Sequence, residues 1–319
     1  MNKTGKYLTK IVFLLFIIVN LIGCSAVEIK ENKFALEAYN DGRYLTAITY
    51  STETLAEDPF NYGALMIKGK SNLKLNNYTE AIKNFSRAID SDEKFEPYYY
   101  RSRAYLEINE LENSASDLEK AISYNPQNVD ALFDFAYVQT LLGDYESALD
   151  TYNKVINIEP LNSSAYVNIG NLKGRMGDSE SAIQYFSKAI NIKPNDVLAY
   201  FNRATEKLII NDKKGAVEDL SFCVSIDSTN INTYFLLAET MIEIKDYKNA
   251  ISKINKIVFI DPQNARAFFL KGKSELAIDQ KDNACMDLRK AGELGYYDAY
   301  ELITKNCVKK EKVKKKTKR

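Results

Sequence analysis

GDYESALDTYNKVINIEP, residues 143–160, returns 34 residues later as GDSESAIQYFSKAINIKP, residues 177–194. The turn signals Gly143-Asp144 and Gly177-Asp178, the small Ala148 and Ala182, the bulky Tyr152 and Phe186, and the closing Pro160 and Pro194 all keep one register. The prolines carry that register outward. Pro126 lies 34 residues before Pro160, and Pro262 lies 68 beyond Pro194, with Ser228 on the rung between. Pro59 joins the ladder once a one-residue deletion is placed near Glu93. A fixed 34-residue period specifies a helical-repeat solenoid, in which each unit buries its apolar face only by stacking on its neighbours. The proline ends the second helix of a unit, because the residue before it is driven out of the α region.

Within each unit, position 4 is aromatic or Leu: Leu65, Tyr98, Leu132, Tyr166, Tyr200, Tyr234 and Phe268. Position 8 is small: Gly69, Ser102, Ala136, Gly170, Ala204, Ala238 and Gly272. Position 20 is small again, from Ala47 through Ala81, Ser114, Ala148, Ala182, Ala216 and Ala250 to Ala284. Position 24 is bulky from the second unit on: Phe85, Leu118, Tyr152, Phe186, Leu220, Ile254 and Leu288. Small residues at 8 and 20 let two antiparallel helices approach closely, and the bulky ones fill the space between units. This pattern resembles the tetratricopeptide repeat (TPR) family. The resemblance implies an all-α fold, an α-α superhelix of about eight helix-turn-helix units over residues 28–297. The units run at about 28–61, 62–94, 95–128, 129–162, 163–196, 197–230, 231–264 and 265–297. The first unit is degenerate, as terminal repeats are expected to be. At the other end Tyr296 replaces the proline, and residues 298–308 read as a capping helix over the last apolar face.

Residues 1–10 are polar and basic, and Ile11 to Gly23 is apolar but for Asn20. Thirteen residues are too few for a spanning helix, which needs about 20, so the pattern reads as a secretory signal. It ends in Leu21-Ile22-Gly23-Cys24, which resembles the bacterial lipobox. The resemblance implies a signal peptide over 1–23, lipidation of Cys24, and a tether of only 24–27 before the solenoid. Several acyl chains on one residue hold stably where one holds weakly. The expected address is the bacterial cell envelope. Ser25 lacks the aspartate that retains some lipoproteins at the inner membrane, so the expectation leans to the outer membrane.

The net charge of +0 hides an asymmetry. Setting aside three lysines in residues 1–23, and seven lysines, Arg319 and Glu311 in residues 308–319, leaves 32 basic and 42 acidic residues in the body. The tail 309–319 reads as disordered and solvated. It has no aromatic for stacking on bases, so no nucleic acid is expected; anionic lipid is the more plausible partner.

Histidine is absent, which removes the commonest general base and metal ligand. Gly69-Lys70-Ser71 and Gly272-Lys273-Ser274 mimic a phosphate loop, but Ala64 and Ala267 stand where its first glycine belongs. Asp90-Ser91-Asp92-Glu93 lacks the central glycine and terminal glutamate of a calcium loop. No catalytic residue, metal or cofactor is expected. Cys223 falls at a small buried position and reads as an inert core thiol. Cys285 and Cys307 lie equally far from the turn at Gly295-Tyr296. If the flanking helices fold back antiparallel, the two meet, and a disulfide is expected in an exported protein.

That leaves binding. The first helices of the units line the concave face, where an extended peptide or partner protein would lie. Position 5 presents Met66, Tyr99, Phe133, Val167, Phe201, Phe235 and Phe269, and position 9 presents Lys70, Arg103, Tyr137, Asn171, Thr205, Glu239 and Lys273. The aromatics Tyr99, Phe133, Tyr137 and Phe201 are candidate anchors, though position 5 also serves packing. Arg103, Asn168, Asn171 and Asn202 are more telling, because packing does not demand them. A carboxylate-clamping set is incomplete: Val167, Asn232 and Leu236 stand where its basic residues belong. The expected role is a non-catalytic, lipid-anchored scaffold or adaptor. The alternatives are an assembly factor touching newly exported chains and, with no loop insertion to build a sugar site, a glycan-binding lipoprotein.

Overall fold

The structure, a computed structural model, describes residues 32–308. The expected signal peptide, Cys24, the expected tether and the basic tail lie outside the described residues. Every regular element among those described is a helix, and none is long and apolar enough to cross a membrane.

The chain divides at Pro160 into two compact units. The first holds α1 (32–40), α2 (Tyr44–Glu57), α3 (Tyr62–Lys74), α4 (Tyr78–Ser91), α5 (Phe95–Glu107), α6 (Leu111–Tyr124), α7 (Val129–Leu142) and α8 (Tyr145–Ile158). The second holds α9 (Ser163–Arg175), α10 (Ser179–Ile192), α11 (Val197–Ile209), α12 (Lys213–Ile226), α13 (Ile231–Glu243), α14 (Tyr247–Ile260), α15 (Ala265–Ala277), α16 (Lys281–Glu293) and the short α17 (Ala299–Asn306). Within each unit a helix packs chiefly on the helices before and after it in the chain.

Two chemical ladders set the helix starts. Asn61, Asn128, Asn162, Asp196, Asn230 and Asn264 each cap the first helix of a pair, accepting a backbone N–H three residues on. Asp144, Asp178, Asp212 and Asp246 do the same for second helices. Each cap satisfies one of the amides a helix leaves unpaired at its start. Only residues 92–94 join α4 to α5, where four residues join α2 to α3 and α6 to α7. The deletion near Glu93 is therefore a shortened inter-repeat loop. Its cap is lost too: Lys94 makes no side-chain cap, while Pro97 in the first turn has no N–H to satisfy.

The turn inside each pair needs one left-handed residue. Gly42, Asn76, Asn109, Gly143, Gly177, Asn211, Lys245 and Asp279 take that place, all with positive φ. Glycine and asparagine suit this conformation and lysine does not. Lys245 is exposed. Lys245→Gly is expected to stabilise the protein by about 0.5–1 kcal/mol, net of glycine's extra freedom when unfolded. Urea denaturation reads this directly, and a loss of stability would contradict it.

The small position 8 meets the bulky position 24 of its own pair. A methyl added to Gly69 would lie 2.5 Å from the Phe85 ring; on Gly170, 2.7 Å from the Phe186 ring; on Gly272, 2.8 Å from Leu288 Cγ. Phe85 then stacks on Tyr100 of the next pair, with ring centroids 5.9 Å apart. The bulky residue thus seals the space inside its pair as well as between pairs. Gly69 and Gly272 sit mid-helix in α3 and α15, and Ser71 and Ser274 are buried, so neither Gly-Lys-Ser run forms a phosphate cradle.

A further repeat-borne feature is ionic. Arg101 of α5 donates two bonds of 2.7 Å to Asp117 of α6 and one of 2.8 Å to Ser86 of α4. Three periods later Arg203 of α11 does the same, to Asp219 at 2.6 and 2.9 Å and to Ser187 at 3.0 Å. Lys207 adds a second cation 2.8 Å from Asp219. Each arginine ties together three helices from two adjacent pairs.

Candidate functional site

Positions 5 and 9 lie one turn apart, so each pair of side chains shares one face of its helix. In the first unit Arg103 of α5 is exposed, its guanidinium 6.0 Å from the Tyr99 ring and its Nε 4.0 Å from Asp134 of α7. Tyr99 is half-buried, stacked on Phe95 at 5.4 Å, and its hydroxyl bonds to Asp134. Burial and the Asp134 charge push the Tyr99 phenol well above its ordinary range. Burial also raises the Asp134 carboxyl, against the pull of Arg103 and the Tyr99 bond. Tyr99, Arg103 and Asp134 thus form one cluster across α5 and α7. Phe133 is drawn inward, edge-on to Tyr152 of α8 at 5.3 Å, whereas Tyr137 one turn on is exposed.

In the second unit Asn202 of α11 donates to Asn171 of α9 at 2.9 Å, using one polar end of each amide. Asn168 is half-buried on the same helix as Asn171. Phe201 packs against the core that holds Ala204, Leu220 and Leu237. Of the eight expected groove residues, Arg103 and Tyr137 offer the most surface, the three asparagines are partly open, and Tyr99, Phe133 and Phe201 are committed largely to packing.

Cys285 and Cys307 form a disulfide, with their Cα atoms 5.7 Å apart. It fastens the end of α17 to α16. Cys223 is buried, its thiol pushed up to about 11 by burial and then by Asp219. A thiol so shifted carries little thiolate at neutral pH. Among the described residues no group of three His, Cys, Asp or Glu side chains is placed to hold a metal ion.

On α15, Glu275 is only 3% exposed and its Oε2 has no hydrogen-bond partner. Burial, then a bond to Asp287, raises its carboxyl to about 7; Lys271, 3.1 Å from Asp287, opposes the shift. The folded state therefore holds a proton here that the unfolded chain releases near pH 4.5. The stability this proton supplies is complete below that pH and is lost as pH rises through about 7. Glu275→Gln is expected to flatten this slope and to gain about 2 kcal/mol at pH 8. Denaturation of both proteins at pH 5 and pH 8 checks it; an equal effect at both would refute the raised Glu275 carboxyl.

Sequence reasoning passed over the Arg101–Asp117 and Arg203–Asp219 ties, although their signal, Arg at position 7 with Asp at position 23, recurs in the sequence. It also passed over the asparagine and aspartate caps, whose 34-residue spacing is as regular as that of the prolines.

Family models described as tetratricopeptide repeat match residues 32–94, 105–169 and 163–196. Over these stretches the chain carries tetratricopeptide repeats. Among solved structures it is similar to the C-terminal part of a TPR repeat-containing protein from Cytophaga hutchinsonii, at 16% identity and a TM-score of 0.66, over 74% of this chain and 97% of that one. It is similar also to a tetratricopeptide repeat protein from Parabacteroides merdae, at 20% identity and a TM-score of 0.54, over 77% and 99% of the two chains. YrrB, a TPR protein with an unusual peptide-binding site, matches at 21% identity and a TM-score of 0.52, over 60% and 98%. At these identities the likeness is one of fold.

Proposed function

We propose that the protein is a lipid-anchored scaffold of the bacterial envelope that holds a peptide or protein partner along its first helices. The observation that carries the binding role is the set of polar and aromatic side chains with surface on those helices: the exposed Arg103 and Tyr137 in one unit, the partly exposed Asn168, Asn171 and Asn202 in the other. None is required to fill a core. Arginine and tyrosine are the residue types that most often anchor an interface. YrrB supports the reading only in that the same fold carries a peptide site there.

The anchor rests on the basic start, the short apolar run and Leu21-Ile22-Gly23-Cys24. In this reading Cys24→Ala leaves the fold intact and releases the protein from membranes of the native bacterium. If the variant stays bound after a high-salt wash, the anchor is wrong. In-cell crosslinking followed by mass spectrometry tests the scaffold role: a recurrent partner lost in an Arg103→Glu, Tyr137→Ala variant supports it. Unchanged crosslinks would remove the groove from the account.

A further inference from the structure

Between α1, α3 and α5 the first unit holds an open cavity of about 340 Å³. Its wall carries Tyr39, Lys70, Lys74, Tyr78, Tyr100 and Arg103. Lys70 and Lys74 are one turn apart on α3, so both ammonium groups rise from one helix face. The Lys70 ammonium lies 4.3 Å from the centre of the Tyr100 ring. A ring placed this way orients a cation without cancelling its charge. No carboxylate among the described residues forms an ion pair with Lys70 or Lys74. Arg103 has its one acid, Asp134, at the outer limit of ion pairing, 4.0 Å away. The wall's own acid, Glu107, accepts a 3.3 Å bond from Tyr78. Three cations thus face one carboxylate.

The surroundings make this more pointed. Residues 24–307 hold 32 basic and 42 acidic residues, so a positive cavity is set in a negative body. Such a body repels acidic chains in general, and a local positive site then selects where one can dock. The tyrosines supply neutral hydroxyl donors; burial, then Tyr100 and Tyr44, holds the Tyr39 phenol above its ordinary range, against Arg103.

We propose that this cavity is a subsite for an internal acidic stretch of an extended peptide, with carboxylate side chains two residues apart meeting Lys70, Lys74 and Arg103. The alternation of an extended chain puts residues i and i+2 on one side, which matches cations arriving from two neighbouring helices. The proposal rests on the peptide-binding reading above and adds the chemistry of the partner.

The test selects short random peptides, displayed with free or blocked C-termini, on the full chain in detergent. The expected result is enrichment of sequences with Asp or Glu at alternate positions, whichever way the C-terminus is treated. A synthetic peptide of the enriched sequence should bind Lys70→Met/Arg103→Met about tenfold or more weakly, and should be released by salt. Lys74→Glu, at an exposed residue with no ion-pair partner, gives the same loss without touching the packing. Enrichment of peptides without acids, or equal binding to the variants, overturns the subsite and leaves the peptide-binding reading standing. A strict need for a free C-terminus, or displacement of the peptide by inorganic phosphate alone at equal concentration, also overturns it. No enrichment of any kind overturns both.

Discussion

Asp219→Ala is expected to cost about 3 kcal/mol, near the lower end of the range for breaking a buried ion pair. The Asp219 side chain is only 4% exposed, and it faces Arg203 and Lys207, whose side chains are 17% and 14% exposed. Removing it leaves two cations confined with no counter-charge, and Ser187 alone to accept from the guanidinium. The lower end applies because both cations retain some access to water. Asp117→Ala at the equivalent place strands only Arg101, and about 2 kcal/mol is expected there. Asp219→Asn separates the two contributions, since it keeps the shape and loses the charge. Equilibrium denaturation at neutral pH measures all three. A loss under about 1 kcal/mol for Asp219→Ala would mean the cluster is no more than a surface pair.

Cys285→Ser with Cys307→Ser is expected to lower stability by about 3 kcal/mol on the chain-entropy account of a loop of this length. The bridged residues are 22 apart in sequence. The loss should be local. Ala299 joins Leu288 and Ala291 in a small core, with Leu302 and Ile303 packed against it, and Tyr296 stacks on Phe269 at 4.5 Å. These contacts keep α17 in place part of the time without the bond. Hydrogen exchange should therefore quicken in α16 and α17 and stay unchanged in α3 to α6. Treatment of the native protein with a reductant should reproduce the effect; no change in exchange on reduction would end this account.

The helical register was legible because proline and glycine act through the backbone, and a backbone requirement shows directly in residue type. Pro160 and Pro194 end helices, and Gly143 and Gly177 take left-handed turns, whatever surrounds them. The disulfide was legible for a related reason: two helices folding back about one turn fix where Cys285 and Cys307 must meet. The groove was harder. Position 5 of the repeat names an aromatic without saying which way it leans, and Phe133 and Phe201 lean inward. The cationic cavity was hidden because one wall, Tyr39, comes from the first repeat, where the register is weakest, and the rest from α3, the start of α4 and α5. Charge clusters assembled from different helices leave no pattern along the chain; only their folded neighbourhood defines them.

The nearest-neighbour packing has one more consequence, which concerns time. No helix within either unit has to wait for a distant strand of sequence before it can be buried. Proteins of such local topology close their loops cheaply and fold fast. Each hairpin of two helices can therefore set as soon as its own residues and those of the pair before it are free, from the N-terminal end onward. The half-cystines at 285 and 307 follow α1 to α14 in the chain. Their covalent closure therefore comes after the hairpins before them have had time to set, and it locks a hairpin that already has a packed neighbour to rest on.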